Sequence, residues 1–189
     1  MKCVIAPGNY SKQPEIENWY PSVARKLRHT TKDNGDRLFT EVVLRQFPDW
    51  KIGRESKWMP FLENVLKVEE DDIIIGHSTG SIAAMRWAEK RKIRGIVLVS
   101  AYHTDLGEPT EKEAEYFDRP WDFEAIRNNA GFIIQYSSPS DSLVPIAEQR
   151  YVAEQMQSEY HELERRGHFI ANKDFDQLVD DLLKHFLVQ

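Results

Sequence analysis

Three consecutive isoleucines, Ile73, Ile74 and Ile75, constrain the fold of this chain more than any other feature. Side chains alternate across a strand, so a run without a polar position must bury both of its faces. Ile96, Val97, Leu98 and Val99 repeat the pattern inside the run Gly95 to Ser100. Strands of this kind need helices on both sides, which is the setting of a parallel sheet. Further short apolar runs, at Cys3 to Ala6, Glu41 to Leu44, Phe132 to Tyr136 and more weakly Tyr160 to Glu164, are separated by stretches with helical spacing. The alternation predicts an α/β architecture, a mostly parallel sheet of about six strands with helices on both faces. Phe175, Leu178, Val179, Leu182, Leu183, Phe186 and Leu187 step by three and four, which lays one apolar stripe along a closing helix. At 189 residues the chain suits a single core and one domain spanning 1–189. The segment 101–131 has no strand pattern, is charged and contains Trp121, and is expected to form one or two short lid-like helices over the carboxyl edge of the sheet.

Charge and cysteine usage narrow the partners. Lys plus Arg number 25 against 31 for Asp plus Glu, a formal net charge of -6 with no long basic run. That balance argues against nucleic acid and against anionic membrane surfaces as partners. No long apolar stretch follows the start at Met1 and Lys2, so neither a signal peptide nor a membrane-spanning helix is expected. Cys3 is the single cysteine and falls in the first strand, where it cannot form an internal disulfide. A reducing cytoplasmic setting, or a nuclear one, follows. The sequence carries no spaced cluster of metal ligands and no phosphate-cradling G-x-x-x-x-G-K-[ST] pattern, so no metal and no cofactor are expected.

The triple-isoleucine strand runs directly into Gly76, His77, Ser78, Thr79, Gly80 and then an alanine-rich helix start. G-x-S-x-G at a sharp strand-to-helix turn is a way of projecting a serine nucleophile, because the small flanking residues let neighbouring backbones approach where a Cβ would obstruct them. The helix amino terminus aims N–H groups and a positive dipole end at the place where an oxyanion would form. The plainer alternative is that Ser78 only caps the helix.

A serine hydroxyl needs an adjacent base, and the base needs a group that holds its tautomer. Chain order should be serine, acid, histidine, each at the carboxyl end of a strand. His29 precedes the serine, His77 adjoins it with its side chain pointing elsewhere, His103 precedes the best acid, His161 lies within a strand, and His185 is on the wet face of the last helix. His168 remains, in a glycine-led loop between the last strand and the last helix. Asp141 is the only carboxylate in the loop Ser137 to Pro145 and is the preferred acid; Asp105, after the preceding strand, is the competitor. Oxyanion donors are expected from the backbone N–H groups of Thr79 and of Asn9, the latter in the Pro7-Gly8-Asn9 loop after the first strand. Trp58, Tyr102, Phe117 and Trp121 are candidates for an apolar substrate wall, which would suit a small ester or amide.

With these residues placed, the chain resembles the retinoblastoma-binding protein 9 family of small serine hydrolases over nearly its whole length. The resemblance is carried by Pro7-Gly8-Asn9, Gly76 to Gly80, Arg54-Glu55-Ser56, Trp58-Met59-Pro60-Phe61, Leu98 to Tyr102, Thr104-Asp105-Leu106-Gly107, and Tyr116-Phe117 with Arg119-Pro120-Trp121. It implies the compact α/β-hydrolase fold, the triad Ser78, Asp141 and His168, and cleavage of small ester, thioester or amide substrates through an acyl-enzyme. The serine at position 78 disfavours a dehalogenase-type relative. It also implies an alternative, a protein-interaction role through an L-x-C-x-E motif toward the retinoblastoma protein. Here that stretch reads Leu66, Lys67, Val68, Glu69, Glu70; Val68 replaces the cysteine, which argues against a pocket-protein partner.

Overall fold

The computed structural model describes residues 1–187, the side chain of Leu187 excepted. In chain order the elements are β1 (Lys2–Ala6), α1 (Tyr20–His29), β2 (Glu41–Leu44), α2 (Glu55–Pro60), β3 (Ile73–His77), α3 (Thr79–Lys90), β4 (Gly95–Val99), α4 (Pro109–Glu113), α5 (Phe123–Asn129), β5 (Ile133–Ser137), α6 (Ile146–Met156), β6 (Glu159–Glu162) and α7 (Asp176–Leu187). The six strands form one sheet in the order β2-β1-β3-β4-β5-β6, and every neighbouring pair is parallel.

Strand alternation divides the core in two. Val4, Ala6, Ile74, Ile96 and Leu98 pack on one face with residues of α3, α5 and α6. Cys3, Ile5, Ile73, Ile75, Val97 and Val99 pack on the other with residues of α1 and α7. Both faces of β1, β3 and β4 are thus apolar, as the isoleucine run requires. Cys3 is fully buried, and burial pushes its thiol far above its ordinary range, which keeps it protonated. Phe175, just before α7, and Leu178, Val179 and Leu182 on it are buried, and Leu183 and Phe186 pack at the margin; the expected contribution of the Leu187 side chain lies outside the described residues.

Strand ends differ slightly from expectation. β5 starts and stops one residue later than the apolar run suggested, and β6 starts one residue earlier and stops two residues sooner. The ladder decides these limits, since the β5–β6 register runs from Ile134↔Glu159 to Ser137↔Glu162 whatever the polarity of the side chains. Leu66 and Val68 are buried in the core just before β3, so the degraded L-x-C-x-E stretch does not present its apolar residues outward.

Segment 101–131 holds only the short helices α4 and α5 and is fastened to α3 by one buried arginine. Arg86 donates to the carbonyls of Tyr116, Arg119 and Pro120, pairs with Glu89 at 2.6 Å and lies 3.5 Å over the Trp121 ring. Glu55 of α2 reinforces the attachment through a two-pronged pair with Arg119 at 2.6 and 2.7 Å. Among the described residues no helix is long and apolar enough to cross a membrane.

Replacing Arg86 with Met keeps the stem and strands three carbonyls without a donor. Such a loss within a buried charged network costs about 3 kcal/mol. Urea unfolding of Arg86→Met is expected to show a loss of that size, and an unchanged midpoint would refute the anchoring role.

Candidate active site

The sheet order places the topological switch point between β1 and β3, because the chain turns one way from β1 to β2 and the other way to β3. Crevices at the carboxyl ends of strands flanking a switch point are the usual ligand sites of open α/β sheets. Ser78 stands there, between β3 and α3, at φ 53° and ψ -122°. That conformation is strained for a residue with a Cβ. Its neighbours make the turn possible: a Cβ on Gly76 would come within 2.3 Å of the Gly80 carbonyl oxygen, and one on Gly80 within 2.1 Å of the Ala6 carbonyl oxygen. The turn is clipped from β4, where the Ser78 N–H donates to the Val99 carbonyl at 2.9 Å and Ser81 Oγ accepts from the Val99 N–H at 3.0 Å.

The loop after β1 lies against this turn. A Cβ on Gly8 would sit 3.3 Å from the Ser78 Cβ. The Gly8 N–H donates to Tyr20 Oη at 3.2 Å. Among the described residues the backbone N–H groups of Asn9 and Thr79 have no hydrogen-bond partner; Thr79 opens α3, where the first N–H groups have none within the helix. The Asn9 side chain donates to Glu111 Oε1 at 3.3 Å.

His168 and Asp141 meet across two loops. His168 Nδ1 lies 2.9 Å and 3.1 Å from the two carboxylate oxygens of Asp141. Asp141 Oδ1 also accepts from the Leu143 and Val144 N–H groups, each at 2.9 Å, and Oδ2 accepts from Ser100 Oγ at 2.8 Å. Burial alone would raise the pKa of this carboxyl, but the hydrogen bond and charge of His168, with the two backbone N–H donors, outweigh it and hold the group below the ordinary carboxylate range. Two serines tie the loops together: Ser138 Oγ accepts from the Arg166 N–H and Ser140 Oγ from the Gly167 N–H. Asp105 accepts instead from the Gly107 N–H two residues on, an Asx turn without contact to His168.

Ser78 and His168 line one cavity of about 580 Å³. Among the described residues no hydrogen bond joins Ser78 Oγ to the imidazole, and His168 Nε2 has no partner. The cavity wall differs from the aromatic one expected. Tyr102 contributes; Trp58, Phe117 and Trp121 do not. Trp58 is fully buried in the core against Phe47, with Nε1 donating to the Pro48 carbonyl, and Trp121 lies beneath Arg86 beside Phe117. Leu106, Leu143 and Ile170 supply the apolar surface in their place. Glu17, Glu108 and Glu111 also reach the cavity, which no Lys or Arg among the described residues lines. Burial pushes the Glu111 carboxyl above its ordinary value, against hydrogen bonds from Tyr102 and Asn9.

His77 is the residue that sequence reasoning passed over. Its Nε2 lies 2.8 Å from the His168 carbonyl oxygen, which can only accept, so the ring proton sits on Nε2. Nδ1 then accepts from Tyr20 Oη at 2.5 Å, and Tyr20 Oη accepts from Gly8. One buried chain therefore connects the loop after β1, helix α1, the serine turn and the His168 loop. Desolvation, aided by repulsion from His168, lowers the His77 pKa to about 3. Nothing in the sequence but its place beside Ser78 hinted at this.

A family model described as "Serine hydrolase" matches residues 4–184. The chain is 39% identical over 178 residues to Serine hydrolase RBBP9 of Rattus norvegicus, covering 94% of this chain and 91% of that one. It is 28% identical over 177 residues to the hydrolase YdeN of Bacillus subtilis, covering 89% and 88%. The crystal structure of the ydeN gene product superposes with a TM-score of 0.81 at 22% identity over 98% of each chain. MGS-M2, an α/β-hydrolase enzyme from a deep-sea metagenome library, superposes at 0.63 with 14% identity over 98% of this chain and 88% of that one.

Folded His77 refuses the proton that an unfolded histidine takes up below pH 6.5, and continues to do so down to about pH 3. The unfolded state binds more protons in that window, so His77 makes stability fall as pH drops, by about 1.4 kcal/mol per unit. Urea melts at pH 6.5, 5.5 and 4.5 are expected to show a steeper loss for the wild type than for His77→Gln by about that slope; parallel losses would contradict the buried neutral ring. The match across residues 4–184 and the shared sheet with its crevice at the switch point place the chain in the serine hydrolase family, on the α/β-hydrolase fold.

Proposed function

We propose that Ser78 is the nucleophile of this hydrolase, His168 its general base and Asp141 the acid that orients the imidazole. The observation that carries the reading is the pairing of His168 Nδ1 with a buried carboxylate, beside a serine held in a strained turn in the same cavity. An acid on Nδ1 fixes the proton there and leaves Nε2 as the basic nitrogen. The Ser78–His168 hydrogen bond forms as substrate enters, since such contacts are commonly long in unliganded sites.

His168 Nε2 takes the Ser78 proton as Oγ adds to an ester, thioester or amide carbonyl. The N–H groups of Asn9 and Thr79 receive the oxyanion. The imidazolium returns its proton to the leaving group as the carbon–heteroatom bond breaks, giving an acyl-enzyme. Water, deprotonated by His168, adds to the acyl carbon, and Ser78 leaves with the proton. Asp141 stays ionised throughout because its pKa is held low. The cavity size suits a small substrate, and its carboxyl groups, with no basic residue opposite, disfavour an anionic acyl part. An interaction role through residues 66–70 has no comparable support, since Leu66 and Val68 are core residues.

A fluorophosphonate probe is expected to label wild type but not Ser78→Ala, with both proteins melting at similar temperatures; equal labelling would end the assignment. Asp141→Asn should lower kcat on an aryl ester by about 10³ to 10⁴-fold. A neutral aryl ester should exceed its acyl-carboxylate counterpart in kcat/KM by about tenfold or more, the effect of roughly 1.4 kcal/mol of charge repulsion. Equal rates would refute the charge argument while leaving the triad intact.

A further inference from the structure

Away from the Ser78 cavity, two pairs of ligand-bearing residues converge where α7 packs beside β6. Glu159 and His161 are two apart on a strand and share a face. Asp181 and His185 are four apart on a helix and share a face as well. The sequence shows no ligand cluster because at least 20 positions separate any residue of one pair from any of the other; the fold closes that gap. His161 Nε2 lies 3.1 Å from Glu159 Oε1 and 3.5 Å from Asp181 Oδ2, and His185 Nε2 lies 3.1 Å from Glu159 Oε2. The donor atoms of Glu159, His161 and Asp181 all fall within 4.8 Å of one another.

We propose that Glu159, His161 and Asp181, joined by His185 through Glu159, form a binding site for a zinc-type divalent cation. Donors held at about 2.0 to 2.1 Å from zinc at the corners of a tetrahedron stand about 3.4 Å apart, and His161 Nε2 already stands 3.1 Å from Glu159 Oε1 and 3.5 Å from Asp181 Oδ2. Imidazole with carboxylate selects zinc and its transition-metal neighbours over magnesium or calcium, which take oxygen. The rings are also held in orientation. His161 stacks on Tyr136 with centroids 5.0 Å apart and planes at 16°, and His185 on Phe132 at 4.2 Å and 15°. Asp181 is buried and steadied by two outer donors: Tyr136 Oη reaches Oδ2 at 2.8 Å, and Lys184 Nζ takes the other oxygen, Oδ1, at 2.7 Å. Outer partners of this kind orient ligands in metal sites.

The position gives such an ion a consequence. β6 and α7 are the two ends of the loop that carries His168. A cation joining them ties together the two elements that flank that loop and stabilises the native arrangement by mass action.

Isothermal titration of the full chain with zinc chloride is expected to show one ion per chain, with a rise in melting temperature that magnesium chloride at the same concentration does not give. His161→Ala should weaken zinc binding at least tenfold, and the His161→Ala/His185→Ala double variant should remove the melting shift. His168→Ala should retain both, which separates this site from the proposed catalytic imidazole. Both histidines are partly exposed, so these variants are expected to fold; should the double variant fail to fold, the more exposed Glu159→Gln is to show the same tenfold loss. No zinc binding to the wild type, unchanged affinity in the variants, or loss only in His168→Ala would overturn the proposal.

Discussion

No side chain fits between the end of β1, the end of β3 and the first turn of α3, and the crevice depends on that exclusion. Gly80 lies so close to the Ala6 carbonyl, and Gly76 to Gly80, that a single methyl group at either position would force backbones apart. The same contact bears on the distance from Ser78 to the Pro7-Gly8-Asn9 loop, so tightness of the turn and placement of that loop are one constraint. The strain at Ser78, of order 1 to 3 kcal/mol, persists because the surroundings over-determine it. Ser81, bonded to Gly76 and Val99, supplies part of that determination.

A second layer of order comes from polar side chains that bridge the loops. Tyr20 and His77 carry hydrogen bonds from the β1 loop to the His168 loop, while Ser138 and Ser140 carry them from the Asp141 loop to the same place. Tyr20, His77 and Ser138 are buried and would be costly if unpaired, which favours one arrangement of the loops they join. Relatives with less than a quarter of their residues identical keep this sheet, which fits an architecture dictated by pattern and close packing.

Strands with two apolar faces were legible in the sequence because nothing but a covered parallel sheet accommodates them. The proposed triad of Ser78, Asp141 and His168 could be picked out of the sequence because each residue follows a strand in the required chain order. The pocket wall was not. Trp58, Phe117 and Trp121 are aromatic and near the site in sequence terms, yet Arg86 and the Phe47 cluster claim their rings, and that competition is visible only in three dimensions. Glu111 was hidden for the opposite reason. In a helix as charged as Pro109 to Glu113 it reads as solvated, and only the docking of α4 turns it toward Tyr102 and Asn9. His77 and the two loop serines likewise act through partners far along the chain.

The outer strands have a further consequence. β2 and β6 are each four residues long and carry glutamates at Glu41, Glu159 and Glu162. A short, acidic margin is a poor template for another chain's strand. A sheet whose interior strands are almost wholly apolar thus ends, on each side, in a strand that offers another chain only four residues of backbone.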